Sequence, residues 1–232
     1  MSYKKRPDGR KFNETRKIEA KAGVIKNADG SGYFKIGNTS AYAAVYGPRE
    51  HFPRSQQDPK QGVLRCNYNM MPFSGSGERV RPGPSRRSRE ISMVTTSALK
   101  PVVDLSDYPN AVVDVFIELP ETDAGSRCAG ICAASIALAD AGIKMRDVVA
   151  AVSTGKVDDK IVIDLDYAEE AYEGGHVADI PIAMIPSTGE ITLLQMDGHI
   201  TAKELKEAIK TVKQNLIEIA EIQRKAIKDR YK

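Results

Sequence analysis

Hydrophobic and polar residues alternate over many short stretches of this chain, a pattern typical of half-buried β-strands. These stretches are bounded by turn signals such as Asp29-Gly30 and Gly37-Asn38. The predicted strands are residues 18–25, 32–36, 40–46, 63–71, 111–119, 148–156, 161–166, 180–185 and 190–196. The polar, Pro-containing residues 50–62 are predicted to form a loop.

Other segments carry helical patterns. Residues 90–99 and the Ala-rich residues 126–141 are predicted helices, and Gly142 ends the second. A long helix is predicted from Thr201 onward, where Thr201 and Glu204 form a capping-box pattern. Its apolar face comprises Leu205, Ile209, Val212, Leu216, Ile219 and Ala220.

Strand hairpins alternate with helices in two rough halves, and no linker or solenoid repeat separates them. The pattern predicts an α+β protein in which mainly antiparallel sheets pack against helices. Residues 1–232 are therefore predicted to form a single domain that ends in the helix from about residue 201.

Composition narrows the class of protein. A chain of 232 residues, 41% hydrophobic, is long enough to bury a substantial core. It contains no run of 18 apolar residues, so no membrane span is expected, and residues 1–8 lack the apolar stretch of a secretory signal. Cys66, Cys128 and Cys132 have no metal-binding spacing, which favours buried thiols in a reducing cytoplasm.

The segment around Gly125, Ser126 and Arg127 has the features of an anion-binding turn. It opens the Ala-rich helix, and a helix start presents unpaired N–H groups and a partial positive charge. Ser126 adds a hydroxyl donor, and Arg127 adds a guanidinium suited to phosphate oxygens. An ordinary capped helix remains the alternative for this segment taken alone.

Net charge is a modest +3, but arginines concentrate in residues 79–89. Proline and glycine in this segment predict a loop that leads into the helix at 90–99. Such a loop is typical of a phosphate-binding edge for nucleic acid, although a solvated loop is equally compatible with it. The arginines are Arg79, Arg81, Arg86, Arg87 and Arg89.

Carboxylates cluster after residue 163, and Asp179 stands directly before the strand predicted at 180–185. A carboxylate at a strand end could hold Mg²⁺ together with water and substrate oxygens. A solvated acidic turn is the alternative for any single member. An anion site, an arginine edge and carboxylates are together what phosphoryl transfer requires. The cluster comprises Asp164, Asp166, Glu169, Glu170, Glu173 and Asp179.

Five short motifs occur along the chain in the order typical of one family. They are Arg6-Pro7-Asp8-Gly9-Arg10, Gly47-Pro48-Arg49-Glu50, Arg87-Ser88-Arg89-Glu90-Ile91, Asp123-Ala124-Gly125-Ser126-Arg127 and Ala178-Asp179-Ile180-Pro181. From about residue 5 to the final helix the chain resembles the RNase PH family, and most of all the catalytic RNase PH-like subunits of archaeal exosomes.

The resemblance implies the RNase PH fold, which is related to domain 2 of ribosomal protein S5. It also implies phosphorolysis of single-stranded RNA from the 3′ end, with inorganic phosphate as co-substrate, and the reverse tailing reaction. The implied partners are an RNase PH-like paralogue, which completes a hexameric ring of three heterodimers, and RNA-binding cap proteins. A cytoplasmic protein is expected.

The resemblance also implies residue roles. Gly125, Ser126 and Arg127 match the phosphate-binding turn, and Asp179 matches the family aspartate that acts as an acid or organises Mg²⁺. The family has a second aspartate six positions earlier, but this chain has Glu170 nine positions before Asp179. Either Glu170 or Glu173 is expected to replace it. The arginines implied to contact RNA or its phosphates are Arg54, Arg86, Arg87 and Arg89.

Two other functions remain open. One is a non-catalytic ring subunit that only threads RNA, and the other is a stand-alone RNase PH that trims tRNA 3′ ends. The anion turn and Asp179 favour the enzyme over the scaffold. The long C-terminal helix and the Arg-containing loop at residues 49–54 favour the exosome subunit.

Overall fold

The computed structural model describes residues 3–76 and 79–232. Its first sheet has the spatial order β1-β2-β3-β5-β4. The pairs are antiparallel except for β4 and β5, which run parallel. The strands are β1 (Ile18–Ala22), β2 (Gly30–Ile36), β3 (Thr39–Glu50), β4 (Val63–Met70) and β5 (Ala111–Glu121).

The second sheet is antiparallel throughout its described pairs. Its order is β10-β8-β6-β7, and β9 also pairs with β8. The mainly antiparallel α+β architecture is therefore confirmed. The strands are β6 (Ala150–Val157), β7 (Lys160–Ile163), β8 (Val177–Ile185), β9 (Glu190–Leu194) and β10 (Asp197–Gly198).

Four α-helices accompany the sheets in the described residues: α1 (Arg86–Leu99), α2 (Ser126–Asp140), α3 (Tyr167–Glu170) and α4 (Ala202–Arg230). Helix α2 is buried and contacts strands of both sheets. Its small side chains permit a close approach to β2, where a Cβ on Gly32 would lie 2.3 Å from the carbonyl oxygen of Ala133. A side chain at this position would clash with the backbone of α2, so Gly32 allows the helix to lie directly against β2.

The predicted C-terminal helix is confirmed together with its cap. The Thr201 hydroxyl accepts a hydrogen bond from the Glu204 N–H, and the Glu204 carboxylate accepts one from the Thr201 N–H at 2.8 Å. The predicted apolar face is the buried one: Val212, Leu216, Ile219 and Ala220 lie in the main core, and Leu205 and Ile209 pack at its margin.

Several element boundaries differ from those predicted. Helix α1 begins at Arg86 rather than residue 90, because the Ser85 hydroxyl accepts from the Ser88 N–H and forms a capping box there. Strand β8 begins at Val177, so Asp179 lies inside the strand rather than before it. The 50–62 loop contains a short 3-10 helix, Arg54–Gln56.

The segment between β7 and β8 also differs. Strand β7 ends at Ile163 because Asp164 adopts a left-handed backbone with φ of 57°. Asp166 then caps the single-turn helix α3, which the sequence pattern did not predict. This short helix is one wall of the site described below.

One hydrophobic cluster extends through both sheets, α1, α2 and α4. That the whole chain folds as a single domain stays a prediction. The three free cysteines are buried, and burial raises the pKa of the Cys66 thiol to about 12. Across residues 3–76 and 79–232, none of the helices combines the length and the apolar character that crossing a bilayer requires.

Candidate active site

A cleft of about 560 Å³ is lined by residues of several helices and strands. Its walls come from α1, the start of α2, α3, β8 and β10. Residues predicted from separate motifs therefore share one concave surface. The predicted residues that line it are Arg87, Gly125, Ser126, Arg127, Glu170 and Asp179.

The anion turn has an unusual backbone. Ala124 and Gly125 are both left-handed, with φ of 57° and 62°, and Gly125 is the N-cap of α2 without any side chain to cap the first N–H groups. Those N–H groups are therefore available to an anion. Thr39 stabilises the turn, since its hydroxyl donates to the Ala124 carbonyl at 2.7 Å and accepts from the Asp123 N–H at 2.8 Å.

A buried ion pair supports the turn from the protein side. Arg16 donates from Nε and Nη2 to the two carboxylate oxygens of Asp164, at 2.9 and 2.7 Å. Its Nη1 lies 3.5 Å from the Asp123 carboxylate. Both members of the Arg16–Asp164 pair are buried, so breaking it would leave a costly unpaired charge. The pair fixes the chain leading into Gly125.

Arg127 is oriented by Gln195, which lies in the connection between β9 and β10. Its Nη1 donates to Oε1 of Gln195 at 2.6 Å, and Nε2 of Gln195 donates to Oε1 of Glu90 at 3.1 Å. Glu90 lies on α1, one helical turn after Arg87. The amide of Gln195 therefore links Arg127 to α1, the helix that carries Arg87.

Asp179 lies opposite Asp197 in the register of β8 and β10, so the two carboxylates share a face of the sheet. Asp179 accepts a hydrogen bond from the Ser153 hydroxyl. Burial raises the pKa of Asp179 above its usual value, and the nearby Asp197 adds to this. The Ser153 hydrogen bond and the charge of Arg127 act in the opposite direction.

Glu170 projects from α3 into the same cleft. Burial, reinforced by the charge of Asp179, raises the pKa of Glu170 to about 7, although Arg87 and Arg127 oppose the shift. A carboxyl that titrates near neutral pH is suited to proton transfer. Of the two candidates for the second acid, Glu170 lines the cleft, whereas Glu173 is exposed outside it.

The acidic cluster of the sequence is not one site. Glu169 is fully buried in an ion pair with Arg6, at 2.7 Å, and Asp164 is buried against Arg16. The alternative of a solvated acidic turn is wrong for these two residues, because each carboxylate is buried against an arginine that is distant in the sequence. Glu170 and Asp179 are the members of the cluster that line the cleft.

The other predicted arginines lie outside the cleft lining. Arg86 and Arg89 are exposed in the first turn of α1, not in a loop, and Arg89 lines a neighbouring groove. Arg54 lies on the 3-10 helix, where its Nε is 3.8 Å from the Glu50 carboxylate. These arginines do not contribute to the walls around Asp179, but their exposure leaves them available to a polyanion.

The donors in the cleft suit a hard cation only in part. Within the described residues, no three His, Cys, Asp or Glu side chains are arranged to hold a metal ion. Mg²⁺, however, commonly uses one or two carboxylates and completes its shell with water and substrate phosphate oxygens. The facing pair Asp179 and Asp197 fits that arrangement.

Comparison with known proteins shows the family of this chain. The model of the "3' exoribonuclease family, domain 1" matches residues 14–144, and the domain 2 model matches residues 147–214. The chain belongs to the 3′ exoribonuclease (RNase PH) family. The predicted RNase PH fold and the predicted enzyme class, a phosphorolytic 3′-to-5′ exoribonuclease, are thereby confirmed.

Similar members of the RNase PH family cover nearly the whole chain. "Exosome complex component Rrp41" of Methanopyrus kandleri is 51% identical over 97% of this chain and 93% of that protein. The protein of the same name from Pyrococcus furiosus is 50% identical over 98% of this chain and 89% of its own length. The crystal structure of rice Rrp46 superposes with a TM-score of 0.83 at 21% identity, covering 96% of this chain and 100% of that one, which shows the fold alone.

Sequence reasoning missed several residues that line this RNase PH cleft or orient its lining side chains. Ser153 and Gln195 carry no local signal, because each acts on a partner far away in the chain. Asp197 precedes Gly198 just after an apolar strand, a turn-like signal that could have drawn attention to it. The supporting residues Arg6 and Arg16 are visible only once their buried partners are known.

Proposed function

We propose that this chain is the catalytic subunit of an exosome ring that shortens single-stranded RNA from its 3′ end by phosphorolysis. The observation that carries the proposal is the convergence of an anion turn, two arginines and two acids with raised pKa values in one cleft. Phosphoryl transfer depends mainly on positioning and on charge neutralisation, and this cleft offers both.

Inorganic phosphate is the nucleophile in this proposal. The free N–H groups at the start of α2, the Ser126 hydroxyl and the Arg127 guanidinium bind it. A phosphate oxygen forms a bond to the phosphorus of the last nucleotide, while the bond from that phosphorus to the 3′ oxygen of the preceding nucleotide breaks. A nucleoside diphosphate leaves, and the shortened RNA retains a 3′ hydroxyl once that oxygen gains a proton.

Asp179 and Glu170 act on the leaving 3′ oxygen. A protonated carboxyl can donate the required proton, and the pKa of about 7 for Glu170 keeps a large protonated fraction near neutral pH. Asp179, with Asp197 facing it, would hold Mg²⁺ together with substrate oxygens. Bound Mg²⁺ would supply charge neutralisation at the phosphoryl group.

The RNA backbone follows the arginines around the cleft. Arg87 lines the cleft itself, and Arg86 and Arg89 extend an exposed positive edge on the same helix turn. Arg54 supplies a further cationic contact on the exposed 3-10 helix. Phosphate contacts of this kind give affinity without base preference, so RNA sequence should matter little.

The proposed partners are an RNase PH-like paralogue, which completes a hexameric ring of three heterodimers, and RNA-binding cap proteins. The proposal is supported by relatives of about 50% identity whose printed name is exosome complex component. Those names also favour the ring subunit over a stand-alone tRNA-trimming enzyme. We further propose a cytoplasmic location.

One experiment separates the catalytic subunit from a silent one. The chain, alone and together with its RNase PH-like partner, is incubated with 3′-labelled RNA in the presence and absence of inorganic phosphate. Phosphate-dependent release of labelled nucleoside diphosphate is expected. RNA binding without any release in the assembled ring would identify a non-catalytic, RNA-threading subunit instead.

A further inference from the structure

One buried arginine, Arg6, connects the N-terminal segment to helix α3 in the wall of the active site. Nε and Nη2 of Arg6 donate to the two oxygens of Glu169, at 2.8 and 2.7 Å, and both side chains are fully buried. Such a bidentate pair fixes orientation as well as charge. The remaining guanidinium donors bond carbonyl oxygens of Lys11, Glu14, Ile163 and Asp164, at distances of 2.7 to 3.2 Å.

Glu169 in turn organises helix α3. Its carboxylate accepts a hydrogen bond from the Asp166 N–H at 3.1 Å, and its own N–H donates to Asp166 at 2.9 Å. The Tyr3 hydroxyl donates to the same carboxylate at 2.6 Å. A four-residue helix has no stability of its own, so these contacts determine where it lies.

Glu170 is the next residue along the chain, and it lines the cleft. The two glutamates thus have different roles. Glu169 is held in the interior by Arg6, and Glu170 extends from the adjacent backbone position into the cleft. Helix α3 is also joined to the anion turn, because the Tyr167 N–H donates to the Asp123 carboxylate at 3.0 Å. The anion turn is also held by Thr39 and Arg16, so a shift of α3 would displace Glu170 relative to Ser126.

We propose that Arg6 is a positioning residue of the active site: through Glu169 it fixes the backbone from which Glu170 enters the cleft. The inference rests on the proposed function, since it requires that Glu170 takes part in turnover. Arg6 itself touches neither RNA nor phosphate. Its effect is on the rate of the chemical step, because a displacement of about 1 Å in a reacting group can cost about 100-fold.

A double-mutant cycle on the assembled ring tests this coupling. Arg6→Lys retains a positive charge but loses the bidentate geometry. In the wild-type background it should lower kcat by about tenfold or more, with KM for phosphate and RNA unchanged, because only the position of Glu170 is altered. In a Glu170→Gln background the same change should have no further effect, which a general loss of structure would not reproduce.

Lys5→Met is the matched control, because Lys5 is the exposed neighbour of Arg6 on the same segment. It should leave kcat unchanged. If Arg6→Lys does not fold, Arg6→Met combined with Glu169→Met replaces the buried pair by apolar side chains and enters the same cycle. Two results would overturn this inference and leave the proposed function intact. One is wild-type kcat in a folded Arg6 variant, and the other is losses from the Arg6 and Glu170 changes that multiply in the double variant. A wild-type ring that shows no phosphorolysis overturns the proposed function as well.

Discussion

The guanidinium of Arg127 donates to the side-chain oxygen of Gln195 at 2.6 Å, although the two residues lie 68 positions apart in the sequence. Since Arg127 opens α2 beside the anion turn, this hydrogen bond holds the charge at a defined place in the cleft. A substitution of Gln195 therefore tests how much phosphate binding depends on the orientation of the Arg127 guanidinium.

Gln195→Leu should raise KM for phosphate by about tenfold, because one hydrogen bond to a charged group is lost. The dissociation constant for RNA should change little, since the exposed arginines on α1 are untouched. Steady-state kinetics with phosphate as the varied substrate measure the effect. Gln214→Leu, a surface change on α4, is the control and should leave KM as it is.

Arg127→Glu should abolish phosphorolysis while the protein remains folded, because it places a negative charge where phosphate binds. The variant should also lose the increase in Tm that phosphate gives the wild type. Arg127→Lys retains the charge without the forked geometry and should keep part of the activity. Full activity in a folded Arg127→Glu protein would remove the anion turn from the mechanism.

Replacing Arg86, Arg87 and Arg89 by alanine should weaken RNA binding and flatten its dependence on salt. For single-stranded RNA, each lost phosphate contact should reduce the slope of log affinity against log salt by about 0.7. Arg87→Ala alone should in addition lower kcat, because only this member of the three lines the cleft. Binding measured over a salt series decides the point, and an unchanged slope means that this edge faces solvent.

Glu170 should make stability depend on pH. The pKa of Glu170 is raised from an ordinary value of 4.5 to about 7 in the folded state. Between these two pH values the folded protein binds more protons than the unfolded chain, so it loses stability as the pH rises through this range. Glu170→Gln should therefore raise Tm by a few degrees at about pH 8 but not at about pH 4, without added Mg²⁺. Glu173→Gln, an exposed neighbour, should show no such difference.

Local patterns were sufficient for much of the fold. The capping box at Thr201 and the apolar face of α4 are both encoded within a few turns of chain, and both are confirmed. The start of α1 was missed because Ser88, rather than the usual glutamate, completes its capping box. Helix α3 was missed because a single turn carries no periodicity, and its stability comes from Arg6, far away in the sequence.

The site was predictable where a motif holds both the residue and its role. Gly125, Ser126, Arg127 and Asp179 fall in the cleft as expected. The pairings that orient them were not predictable, because Ser153 reaches Asp179 and Gln195 reaches Arg127 only through the tertiary fold. Glu169, one of the clustered acids in the sequence, is likewise buried through a long-range ion pair, in this case with Arg6.

The most direct test follows the phosphorus of inorganic phosphate. The ring containing this chain is incubated with unlabelled RNA and ³²P-phosphate, and the mononucleotide products are separated. Phosphorolysis predicts nucleoside diphosphates that carry the label on the β-phosphate, and near-complete loss of this product in Asp179→Asn with RNA binding retained. Unlabelled nucleoside monophosphates, or undiminished labelled diphosphate from folded Asp179→Asn, would contradict the account.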